Sequence, residues 1–216
     1  MKKGLTEMVF ILDRSGSMCA LEEDTIGGYN SMIKRQQEKT GEALVSTFLF
    51  DNEVELLHDR LDVHSIPPMT KEDYRVRGCT ALLDAVGIAI RHIAMIHKYA
   101  RPEDVPESTV FVINTDGMEN ASHLYTAEEV RRMIRKERNK YGWEFLFLGA
   151  NIDAVRTAGN LGIDRDRAVD YVADSCGMEL NYMALSQAIS AVRDNKPLDN
   201  EWRKQLDLDF SRRGRR

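Results

Sequence analysis

Short apolar runs of strand length alternate with segments of helical period along this chain, and no other feature narrows its fold as much. Glu7–Leu12 is almost continuously apolar, as a parallel strand buried on both faces must be. Ala43–Phe50 and Val54–His58 follow as a predicted strand pair, joined by the turn Asp51-Asn52-Glu53. Thr109–Asn114, Trp143–Leu148 (ended by Gly149) and a weaker run at Ala168–Val172 complete the strand candidates. Helices are expected at 22–37, 81–97, 126–140, 153–160 and 178–193. The second of these aligns Leu82, Leu83, Val86, Ile90 and Ile93 on one face, and Thr126-Ala127-Glu128-Glu129 is a capping box opening the third.

Strand–helix alternation of this kind implies an α/β fold: a Rossmann-like, doubly wound, mostly parallel sheet with helices on both faces. The strand pair at 43–58 supplies one antiparallel edge strand. With 216 residues and no internal repeat, one domain over 1–196 is the simplest division. Pro197 then ends the last helix, and 197–216 is expected to be a charged, weakly specified tail whose basic end, Ser211 to Arg216, is solvated. The segment Asp59–Cys79 is irregular and longer than most connections, which suggests a binding loop or a partly mobile one.

Composition excludes several classes. A net charge of −5 argues against broad nucleic-acid binding. The apolar run at the N-terminus stops at Asp13-Arg14, too short for a signal-peptide core or a membrane span. Three widely spaced cysteines (Cys19, Cys79, Cys176) fit neither a disulfide framework nor a zinc site, so a cytoplasmic location is expected. The five histidines show no metal-ligand spacing and read as surface or packing residues.

In open α/β sheets ligands collect beyond the carboxyl ends of the strands, so the loops there carry the chemistry. After the first strand comes Asp13-Arg14-Ser15-Gly16-Ser17-Met18, and after the fourth comes Thr115-Asp116-Gly117-Met118-Glu119-Asn120. Before the periodic helix stands Gly78-Cys79-Thr80-Ala81-Leu82. Asp13, Ser15, Ser17, Thr80 and Asp116 together offer two carboxylates and three hydroxyls, a hard-oxygen set suited to Mg2+ or Mn2+ and not to zinc. Alternate side chains of an extended loop point the same way, so Asp13, Ser15 and Ser17 are expected to converge, with Gly16 easing the turn. A turn and helix cap accounts for any one loop alone, but not for all three. Around this set Arg14, Gly78, Asp84, Gly117, Glu119 and Asn120 are candidates for the rim or for support. For Asp84, Glu119 and Asn120 the ordinary roles of helix-start acid and polar loop compete with that.

These three loops, in this order, resemble the metal-ion-dependent adhesion site of von Willebrand factor A (vWA) domains. Asp13-Arg14-Ser15-Gly16-Ser17 is similar to the first loop, Gly78-Cys79-Thr80 to the second and Thr115-Asp116-Gly117 to the third. Gly28-Tyr29-Asn30 also resembles a pattern of bacterial members, and the likeness spans about Met8 to Val192. Cys79 departs from it, standing where many members have a second glycine. The resemblance implies a stand-alone bacterial or phage-type member, without catalysis, that binds a divalent cation. Ser15, Ser17 and Thr80 would then ligate through hydroxyls, and Asp13 and Asp116 directly or through water. An acidic side chain of an unidentified partner protein would complete the shell. A free-standing subunit of an ATPase or stress-response complex is one setting the resemblance allows, and in some members the metal shifts ligands as the last helix moves. A magnesium-dependent hydrolase or phosphoryl-transfer enzyme on the same sheet edge is the alternative, with Arg14 as the one basic group that the sequence places near the metal. Neither a phosphate-cradling Gly-x-x-x-x-Gly-Lys-Ser/Thr loop nor an Asp-x-Asp-x-Thr segment accompanies it.

Overall fold

In the computed structural model, which describes residues 1–214, six strands form one sheet in the order β3-β2-β1-β4-β5-β6. The strands are β1 (Lys2–Asp13), β2 (Ala43–Phe50), β3 (Val54–Asp62), β4 (Pro106–Thr115), β5 (Glu144–Ala150) and β6 (Ala168–Tyr171). All neighbours pair in parallel except β2 and β3, which make the antiparallel edge. The helices are α1 (Glu22–Gln37), α2 (Leu82–Tyr99), α3 (Ala127–Tyr141), α4 (Ala154–Asn160), α5 (Ser175–Arg193) and α6 (Lys204–Arg213). This is the expected α/β architecture.

The apolar side chains of the central strands alternate between two cores. Met8, Phe10 and Leu12 of β1 pack with Tyr29 and Ile33 of α1 and with Leu185 and Ile189 of α5. Val9 and Ile11 pack against the other layer, with Val86 and Ile90 of α2, Ile134 of α3 and Ala158 of α4. Each strand is therefore buried on both faces, which is why it reads as a continuous apolar run. Capping holds the helix ends. Thr126 and Glu129 form the expected capping box at α3, and Gly142 closes that helix in the left-handed conformation.

Several elements differ from expectation. β1 begins at Lys2, because its first residues are carried past the apolar run, with Lys2 paired to Pro106. β5 runs through Gly149 to Ala150, since the pairing with β6 continues past the glycine. The segment read as a charged tail contains α6, and Leu198, Trp202 and Leu206 enter the first core. That stripe is hidden among ion pairs such as Arg203–Asp207 and Arg213–Asp209, so the sequence there looks like a solvated face. Arg215 and Arg216, the end of the basic tail, lie outside the described residues.

The stretch 59–79 is also better fastened than its composition suggests. β3 extends to Asp62, and Val63, Ile66, Met69 and Tyr74 are buried. Asn30 of α1 brackets Met69, accepting from its N–H (2.7 Å) and donating to its carbonyl (2.9 Å). Among the described residues no helix is long and apolar enough to cross a membrane.

Candidate metal centre

The strand order reverses between β1 and β4: from β1 the chain builds outward to β2 and β3, and from β4 outward to β5 and β6 on the other side. A crevice opens at such a switch point beyond the carboxyl ends of the strands. Asp13 ends β1 and Asp116 directly follows β4, so the switch point brings two carboxylates from opposite halves of the chain to one place.

Hydroxyls then link them. Thr80 Oγ1 donates to Ser15 Oγ at 3.0 Å, Ser15 Oγ lies 3.1 Å from Ser17 Oγ, and Ser17 Oγ donates to Asp116 Oδ1 at 2.5 Å. Asp13 joins through its neighbours: Oδ1 accepts from Ser15 N–H (2.7 Å) and Oδ2 from Thr115 Oγ1 (2.5 Å). The structure thus gathers all five expected ligand residues. Octahedral coordination at about 2.0–2.1 Å places adjacent ligand oxygens about 2.9 Å apart, so this oxygen spacing suits a small divalent cation.

The electrostatics point the same way. Burial pushes the Asp13 carboxyl up to about 6, against the lowering effect of its bonds from Thr115 and Ser15, and the nearby Asp116 charge adds to the rise. Asp116 is raised as well, chiefly by burial and partly offset by Ser17. Among the described residues these two buried acids have neutral hydrogen-bond donors and no cationic partner.

Local conformation explains the convergence, with two changes from expectation. Ser15 is extended (φ −65°, ψ 168°), but Gly16–Leu21 is a 3-10 helix, so Ser17 reaches the cluster by a turn and not by strand alternation. Gly16 needs no special backbone conformation. The left-handed residue is Gly78 (φ +70°), whose carbonyl accepts from Gly16 N–H at 3.0 Å. At Gly117 a Cβ would stand 2.8 Å from Thr80 Oγ1 and 3.3 Å from Ser17 Oγ, so only glycine lets this backbone pass over the hydroxyls.

The remaining candidates divide. Arg14 is buried and turned away from the carboxylates: Nε donates to Asp51 (3.0 Å) and Nη1 to Glu55 (2.6 Å). Asp84 accepts the backbone N–H groups of His123, Leu124 and Tyr125 at 2.8–2.9 Å, tying the third loop's exit to α2. Glu119 caps α2 by accepting from Leu83 N–H (2.9 Å), and it also accepts from Ser122 and Ala121, so its carboxylate links the third loop to the start of α2. Asn120 holds Thr80 from both sides of its peptide, accepting from Thr80 N–H (2.9 Å) and donating its own N–H to Thr80 carbonyl oxygen (3.0 Å).

Sequence reasoning did not find Thr115, Tyr74 or the Asp51-Asn52 turn. The Tyr74 hydroxyl donates to the Asp13 carbonyl oxygen, and it comes from the loop that looks irregular in sequence. Thr115 had a visible signal, since it is a polar residue ending a buried strand beside Asp116.

No protein-family model matches the sequence. No curated protein matches it either. Solved structures do. The vWF domain of the type V pili tip protein Mfa5 from Porphyromonas gingivalis superposes with a TM-score of 0.61 at 10% identity, covering 86% of this chain and 95% of that one. A von Willebrand factor type A protein from Catenulispora acidiphila gives 0.58 at 14% identity, covering 85% and 42%. Proximal thread matrix protein 1 from the mussel byssus, in a structure with a zinc-occupied MIDAS motif, gives 0.53 at 15% identity, covering 88% and 45%. This chain spans about half the length of the byssus protein.

Proposed function

We propose that this chain, whose fold is that of a von Willebrand factor A domain, is a non-catalytic interaction module that holds a divalent cation through Asp13, Ser15, Ser17, Thr80 and Asp116. The observation that carries the proposal is the continuous hydroxyl chain from Thr80 to Asp116 beside a second buried carboxylate, Asp13. Hard oxygen donors at this spacing favour Mg2+ or Mn2+. Zinc belongs in the test as well, given the zinc-occupied motif of the byssus protein.

Five residues would leave an octahedral cation at least one shell position for an outside ligand. A carboxylate from a partner protein would make a charge-assisted contact there, strong for its small area. The partner is then a protein presenting an acidic side chain, such as a component of an ATPase or stress-response complex. The hydrolase alternative loses support because the Arg14 guanidinium is engaged by Asp51 and Glu55. A cytoplasmic setting is supported by three exposed, unpaired cysteines. Asn181 Nδ2 of α5 donates to Asn114 Oδ1 (3.0 Å), two residues before Asp116, which ties α5 to the strand that carries the second carboxylate.

Thermal unfolding with EDTA, Mg2+, Mn2+ or Zn2+ tests the site. At one hundred times its dissociation constant, a cation that binds only the folded state adds about 2.7 kcal/mol of stability. The wild type should gain this and Asp116→Ala should not. A wild type that no cation stabilises would remove the proposal. With the cation identified, titration with a short aspartate- or glutamate-bearing peptide tests the partner step, and equal binding of its amide counterpart would count against it.

A further inference from the structure

We infer that the turn after β2, Asp51-Asn52, is a fourth loop of the metal centre: it touches no cation itself but fixes Thr80 and the first loop in ligating position. This rests on the metal reading above.

Thr80 has a short side chain, so the place of its hydroxyl is decided by its backbone. The two residues flanking it are both fastened to this turn. Cys79 N–H donates to Asn52 Oδ1 at 2.6 Å, and Ala81 N–H donates to the Asp51 carbonyl oxygen at 2.9 Å. Asn120 fixes the Thr80 peptide from the opposite side. Three consecutive amides are thereby held by side chains and carbonyls of two other loops, with no helix or strand involved.

Contact with the first loop is as close. Arg14 N–H donates to the Phe50 carbonyl oxygen (2.8 Å), and Arg77 N–H donates to the Arg14 carbonyl oxygen (2.9 Å). The Asp51 carboxylate, 2% exposed, is shared by Arg14 Nε (3.0 Å) and Arg77 Nε (2.7 Å). One arginine comes from the first ligand-bearing loop and one from the second, so a single buried carboxylate sets the distance between those two. Gly78 completes the fit. Its φ of +70° and the 2.2 Å that would separate a Cβ from Asn52 Oδ1 show that the turn occupies the space a side chain would need. These are the contacts expected of groups that orient ligands without ligating.

Asn52 offers the clean test, because it and Cys79 are exposed and its loss leaves no buried group unpaired. Mn2+ alone, followed by the electron paramagnetic resonance of the free ion, is the probe. Asn52→Ala should bind Mn2+ about tenfold more weakly than wild type. Its metal-free melting temperature should stay within about 2 °C of wild type, as for other surface changes. Asn52→Asp keeps the Oδ1 acceptor and should recover most of the affinity, measured in about 0.5 M KCl so that the added charge is screened. Wild-type affinity in Asn52→Ala overturns the inference, and so does an equal loss in both variants. A wild type that binds no Mn2+ is a distinct result, removing the metal reading and this inference together.

Discussion

Toward the amino end of the sheet, Glu7 is fully buried in β1 and meets Arg60 Nε at 2.7 Å and His97 Nε2. At the carboxyl end of the same strand, Asp13 is 1% exposed, yet every group bonded to its carboxylate is neutral: a threonine hydroxyl and a serine amide. The one arginine adjacent in sequence has its guanidinium committed to Asp51 and Glu55. Burial alone does not mark a functional acid. What separates these two is whether the described residues supply an opposing charge: Glu7 has one in Arg60, and Asp13 and Asp116 have none.

Removing each acid should therefore have opposite consequences. Glu7→Ala leaves Arg60 beside a vacated buried site, and breaking such a pair costs about 3–5 kcal/mol. Urea unfolding should show that loss, with the cation-induced gain in stability kept. Full loss of the cation response in this variant would mean that the two ends are coupled.

Asp13→Asn should behave the other way, and pH sharpens the contrast. A carboxyl raised from 3.8 to about 6 holds its proton more tightly in the folded state than in the unfolded one. The stability this gives is present below pH 3.8 and is lost as pH rises through 6, a span worth about 3 kcal/mol. In metal-free buffer, the stability of wild type relative to Asp13→Asn should fall by about that amount between pH 4 and 7. Saturating cation should reverse the slope, because binding requires the carboxylate. A difference that stays flat with pH would show that Asp13 is not held in this way.

The smallest effect concerns Asp84, which stands near the site but touches only backbone. Asp84→Ala should cost about 1–3 kcal/mol through three amides left without their acceptor. The cation shift should survive, and its disappearance would assign Asp84 to the metal.

Most of the fold was legible because the central strands are buried on both faces and leave unbroken apolar runs. The five candidate residues were legible for a related reason: four of them sit where β1 and β4 end and Thr80 sits where α2 begins, and hard oxygen donors on three such loops are rarely accidental. What supports them was not legible. Tyr74 reaches Asp13 across 61 residues, and Asn52 reaches Cys79 across 27, from segments whose composition reads as plain loop. Gly78 rather than Gly16 carries the unusual backbone, which spacing alone does not distinguish. α6 stayed hidden because an apolar stripe as thin as Leu198, Trp202 and Leu206 is outweighed by the charges around it.

The hydroxyl chain joins residues 65 and 99 positions apart, and the Thr115–Asp13 bond spans 102. Contacts so distant along the chain carry a loop-closure cost and can form only when β1 and β4 lie side by side. Under the metal reading proposed above, a cation that binds only the completed centre should slow unfolding and leave the rate of folding nearly unchanged.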